Sequence, residues 1–133
     1  MRVWRMLFLL LGAVLATIAV AAQRDNTAVP KYDKGAEAVF KGTVLDVTDR
    51  VCPVSGGMGS HISLRLTDGS TIEVHLATTK FVHQYELVFQ KGDMIEVTGV
   101  KVRFEGTDTI LARKIKRGDD EFLFRDVDGK RLW

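Results

Sequence analysis

The sequence predicts a small, mostly β domain: a five-stranded barrel with one short helix between its third and fourth strands, behind a signal peptide. Three observations predict it. Single apolar residues alternate with polar ones at Ile62, Leu64 and Leu66 and again at Ile72, Val74 and Leu76, the period of half-buried strands. Thr78 to Gln90 alone abandons that period for steps of three and four. The first 22 residues have the three-part layout of an export leader.

The leader comes first. Arg2 and Arg5 make a basic start, Met6 to Val20 is uncharged and rich in Leu, Ala and Val, and Ala19-Val20-Ala21-Ala22 offers small residues for cleavage. The apolar run is short for a membrane span, which takes about 20 residues. Residues 1–22 are therefore read as a signal peptide and the rest as a periplasmic or secreted protein, held to a membrane only if the leader stays uncleaved. Residues 23–36 are polar, contain Pro30 and follow neither period, which reads as a flexible lead-in. The domain proper is 37–133.

Its first strand is expected over Val39 to Val47, rich in β-branched residues, with Gly42 marking a bulge or bend. Arg50 to Gly59 reads as a loop, punctuated by Pro53 and glycines 56, 57 and 59. The alternating rows on either side of Asp68-Gly69 then form a hairpin. Setting Leu66 opposite Ile72, Leu64 opposite Val74 and Ile62 opposite Leu76 keeps all six on one face and sets Arg65 against Glu73. Phe81, Tyr85, Val88 and Phe89 at helical steps, with Thr78 or Thr79 as cap, predict a short helix ending before Lys91. Strands resume at Met94 to Phe104, where Gly99 marks a second bend, and at Thr109 to Ile115. A last short piece follows at Glu121 to Arg125. Three meandering strands, a helix and a hairpin is the order of an OB-fold.

The stretches Ile72-Glu73-Val74-His75-Leu76, Ile95-Glu96-Val97-Thr98-Gly99 and Phe124 to Trp133 also resemble those of small exported OB-fold-like proteins of bacteria. The resemblance spans roughly Glu37 to Trp133. It implies the fold and transfers no activity.

Composition narrows the function. The chain has 19 Lys and Arg against 17 Asp and Glu, and two of the basic residues, Arg2 and Arg5, lie in the leader. The mature chain is formally neutral, which argues against a nucleic-acid footprint. The local basic run Arg113, Lys114, Lys116 and Arg117 reads as a solvated edge, with no aromatic residues interleaved for stacking bases. No nucleophile elbow, phosphate loop or haem-attachment motif is present, so no enzyme is expected.

Cys52 is the single cysteine, so no internal disulfide can form. Together with Met58, His61 and His75 it forms a cluster of soft and imidazole side chains close in sequence. In the expected hairpin register His61 and His75 are diagonal neighbours on the polar face, within reach of one metal ion. A thiolate, a thioether and imidazoles suit copper(I); Cys and His alone suit zinc. Histidines on a solvent face are nevertheless common without any ligand. The leading expectation is therefore a non-enzymatic exported binding module that recognises a periplasmic or cell-surface protein or a small ligand, with the Arg50 to His61 loop as its candidate surface. The alternative is a copper or zinc protein using Cys52, His61 and His75, with Met58 as a further soft ligand. Single-stranded nucleic-acid binding is a third reading.

Overall fold

The computed structural model describes residues 29–133. The signal peptide expected at 1–22 and the start of the lead-in lie outside the described residues. Six strands and one short helix follow a 3-10 turn at Lys34–Ala36: β1 (Glu37–Cys52), β2 (Gly57–Leu66), β3 (Thr71–Thr78), α1 (Thr79–Gln84), β4 (Met94–Phe104), β5 (Thr107–Arg117) and β6 (Asp120–Leu123). The sheet order is β3-β2-β1-β4-β5-β6, and β3 also pairs with β5. That extra pairing is parallel, from Glu73 opposite Thr109 to His75 opposite Leu111, and it closes five strands into a ring. The mostly β, OB-fold-like barrel with a helix after β3 is thus the fold. Among the described residues no helix is long and apolar enough to cross a membrane.

Closure depends on two glycines. Gly42 lies opposite both Leu66 of β2 and Ile95 of β4, where β1 passes from one partner to the other. A methyl group there would collide with the Arg65 carbonyl and come within 2.9 Å of the Leu64 side chain. The bulge expected at Gly42 falls instead between Val44 and Asp46. Gly99 does sit at a register shift, between Thr98 and Gly99, and its missing side chain admits the Leu111 carbonyl.

The hairpin register is shifted by two residues from the one expected. Leu64 faces Ile72, Ile62 faces Val74 and His61 faces His75. A two-residue shift keeps side-chain parity, so the apolar row still points inward and cannot distinguish the two registers. The loop decides. The Leu66 N–H bonds to the Ser70 carbonyl at 2.8 Å, and Asp68 Oδ1 accepts the Ser70 N–H at 2.8 Å, which centres the three-residue turn on Asp68 and not on Gly69. Glu73 consequently faces Ser63, and its charge is met by Arg50 of β1, whose Nε lies 3.2 Å from Oε1.

The helix is shorter than expected. Thr78 caps it, its hydroxyl accepting from the Phe81 N–H at 3.3 Å, but it stops at Gln84 and Glu86 follows at φ 52°. A left-handed residue cannot continue a right-handed helix. Val82 and Phe89 turn into the core, whereas Tyr85 is 58% exposed.

The barrel core comprises residues such as Val44, Ile62, Leu64, Val74, Leu76, Val97, Ile110, Ile115 and Phe124. A second cluster, on the outer face of the sheet, joins Cys52, Val54, Phe104 and Leu111 to Tyr32, Val102 and Trp133. Both ends of the described chain build it, so the described part of the lead-in is packed. Tyr32 donates to Glu37 Oε2 at 2.6 Å, and Arg113 reaches the same carboxylate with two bonds of 2.7 and 2.8 Å.

The Arg113 guanidinium, helped by Tyr32 and opposed by burial, holds the Glu37 carboxyl down at about 2, against 4.5 for a free glutamate. A depressed carboxylate contributes stability above its unfolded value and loses it as pH falls toward its folded value. The protein should therefore weaken as pH drops from 4.5 to about 2. Arg113→Ala should flatten that limb and cost about 3 kcal/mol at neutral pH by leaving a part-buried carboxylate unpaired; urea melts across the acid range check both effects.

The basic run is not a free edge. Arg113 is committed to Glu37, Lys114 bonds Glu121 at 2.8 Å, and Arg117 bonds Asp93 at 3.0 Å while lying over Phe89 and Phe122. β5, which carries the run, is covered by β4 and β6.

Candidate metal centre

The segment expected as a loop from Arg50 to Gly59 is a two-stranded ribbon. β1 and β2 pair without a break from Asp46–Ser63 to Cys52–Gly57. Only 53–56 turn, held by Ser55 and Gly56 N–H groups on the Cys52 carbonyl at 3.0 and 3.1 Å. Gly57 and Gly59 are strand residues, and the missing side chain of Gly59 leaves room beneath the turn. A methyl on Gly59 would strike the Ser55 hydroxyl and stand 3.3 Å from His61 Cε1.

This ribbon brings three of the four sequence candidates together. Cys52 ends β1, His61 lies in β2, and His75 faces it from β3. Their rings meet edge to face, 5.1 Å between centroids at 75°. One donor atom from each of Cys52, His61 and His75 lies within 4.8 Å of the others. The three residues are 2%, 3% and 1% exposed, so the hairpin face expected to meet solvent is sealed here. The turn covers it from one side and Trp133 from the other, its ring 5.7 Å from that of His75.

Met58 does not join them. It pairs with Val51 and is 49% exposed. Successive strand residues point to opposite faces, so Met58 cannot share the face of Gly57, Gly59 and His61.

Neither ring nitrogen of His61 has a hydrogen-bond partner. Burial, with Arg50 nearby, lowers its pKa against weaker opposition from Glu73 and the backbone at Gly59 and Thr48. Burial, then His61 and the charges of Arg125, Arg131 and Arg50, push His75 down to about 3. Both imidazoles are neutral at pH 7 and keep a lone pair for a metal. Ser55 Oγ lies 2.8 Å from His75 Nε2. With a metal on the other nitrogen, Nε2–H would donate to Ser55, the kind of contact that orients a ligating histidine.

An unpartnered buried polar ring is expensive, with each unsatisfied group costing about 1–3 kcal/mol. Metal-free His61→Leu should therefore be as stable as metal-free wild type, or more stable by about 1–2 kcal/mol, and should bind no metal. Paired denaturant melts with and without added metal test this.

Sequence reasoning missed Trp133, Arg125 and Tyr32 as neighbours of the site. Arg125 is 5% exposed, donates to the Gly129 carbonyl at 3.0 Å and lies against the rings of Tyr32 and Trp133. None of these carries a local signal, because each arrives from near an end of the described chain, outside any periodic segment.

The small single-stranded DNA-binding protein from Streptomyces coelicolor is similar over 66% of this chain and 93% of its own, at 16% identity and a TM-score of 0.47. No curated protein matches. Residues 37–122 match the MamS/MamX magnetosome protein family. That match runs from the first residue of β1 into β6 and takes in Cys52, His61 and His75: the chain belongs to the MamS/MamX magnetosome protein family.

Proposed function

We propose that this protein is a non-enzymatic metal-binding module that holds one copper or zinc ion on Cys52, His61 and His75. One observation carries the reading: a thiol and two neutral imidazoles converge within 4.8 Å in a sealed pocket, and His61 has no other partner there. Isolated buried polar groups are normally satisfied, and a metal would satisfy this one. The binding-module reading looked first to a loop at Arg50 to His61. Two of the residues that singled out that segment, Cys52 and His61, are buried in a ribbon, which favours a small, deeply held ligand. Three of the four residues of the basic run, Arg113, Lys114 and Arg117, are engaged in ion pairs, which weakens the nucleic-acid reading further.

The family name and the apolar leader together support a domain exported from the cytoplasm that works at the magnetosome. Elemental analysis of the protein, purified untagged from an exported fraction in chelator-free buffer, tests the reading. Stoichiometric copper or zinc that disappears in the C52S/H61A double variant supports it. Protein that carries neither metal and refuses both on loading defeats it.

A further inference from the structure

We infer that the ion is copper and that the centre is a one-electron carrier, which exchanges electrons with a redox protein through the edge of Trp133. This rests on the metal-binding reading above and deepens it.

The donor set makes the first distinction. Structural zinc takes four ligands in a tetrahedron. The buried group supplies three, one sulfur and two imidazoles, with no carboxylate among them. The Ser55 hydroxyl beside the group is already engaged with His75, and Met58 points away. Two histidines and a cysteine in a trigonal arrangement are the core of copper electron-transfer sites.

Charge makes the second. Copper(I) on the Cys52 thiolate forms a neutral unit, whereas zinc(II) on the same ligands keeps a positive charge. Net charge in a sealed site is costly, and here the neighbours are cationic. Arg125 and Arg131 lie 5.8 and 4.6 Å from the Trp133 ring centroid. Among the described residues neither has a carboxylate at ion-pair distance. The same arginines disfavour the oxidised, positive copper(II) state and so raise the potential of the couple.

Rigidity and access make the third. His61 and His75 are direct ladder partners, and Cys52 is fixed by its pairing with Gly57 and by the turn. The ligands can keep one geometry in both oxidation states. The site is closed to water, but Trp133 touches His75 on one side and is part-exposed on the other, giving a ring-to-ring route to the surface. In the transfer step, copper(I) becomes copper(II) and one electron passes to a one-electron acceptor protein. No bond is made or broken, and no proton moves, because the thiol proton left when the metal bound.

The test loads the full-length protein anaerobically with copper(I) and oxidises it with one equivalent of ferricyanide. We expect an intense visible thiolate-to-copper charge-transfer band that bleaches on reduction and returns on reoxidation, with copper retained throughout. Arg131→Leu should keep the band and shift the potential downward. Trp133→Leu should keep the band but slow electron exchange with cytochrome c severalfold, while Trp133→Phe, which preserves a ring over His75, should retain most of the rate. Copper expelled on oxidation, a missing band, or zinc displacing copper(I) would overturn this inference and leave the metal-binding reading intact. Equal exchange rates in wild type and Trp133→Leu would overturn the route. Failure to bind either metal would remove the reading beneath it.

Discussion

The Cys52→Ser protein should leave purification folded but without metal, its affinity for copper(I) lowered by more than about 100-fold. Loss of a group that merely orients a ligand already costs about 10–100-fold, and here the ligand itself is removed. Cys52 is the chain's single cysteine, so no second thiolate can substitute for it. A serine hydroxyl is harder and stays protonated at neutral pH, which makes it a poor partner for a soft ion. The fold should survive, because Cys52 belongs to the outer cluster and not to the barrel core. Competition against a chelator of known copper(I) affinity, beside circular dichroism of the same samples, separates lost binding from lost structure.

Gly99→Val should be the most damaging single change outside the metal centre. A side chain there meets backbone, the Leu111 carbonyl, and stands 3.0 Å from the Ile110 methyl, so no rotamer can relieve it. β4 and β5 would have to separate at the register shift between Thr98 and Gly99. We expect a loss of about 3 kcal/mol or more, or a fall in Tm of more than about 12 °C for a domain of this size. Gly57→Ala is the control: nothing lies within 4 Å of the added methyl, and its melt should match wild type within about 0.5 kcal/mol. Equal melts for the two variants would mean that β4 and β5 do not approach as described.

Much of the fold was legible because it follows from side-chain period. Alternation at 62, 64, 66 and at 72, 74, 76 marked the hairpin, and the change of period after Thr78 marked the helix with its cap. What stayed hidden depended on information that period does not hold. Register was misjudged by two residues because parity is the same in both alignments, and the matching of Arg65 with Glu73 ignored Arg50, a competitor from another strand. The ribbon from Arg50 to Gly59 was hidden because Pro53, Gly56, Gly57 and Gly59 read as loop punctuation. In the structure only 53–56 turn, Gly57 and Gly59 are strand residues, and Gly59 makes space for the Ser55 side chain above it.

The site was half legible. Residue chemistry was enough to gather Cys52, His61 and His75, and it wrongly added Met58, which strand alternation sends to the other face. Burial could not be read, because the hairpin's outer face is covered by Trp133 and Tyr32 from opposite ends of the described chain. That cover turns three ordinary side chains into a dry, convergent donor set.

The most direct measurement is X-ray absorption at the copper edge of the copper(I)-loaded protein. Coordination by Cys52, His61 and His75 requires one sulfur and two imidazole nitrogens around each copper. Two or more sulfurs per copper, or none, would put the metal between chains or on exposed side chains, and would contradict a buried centre.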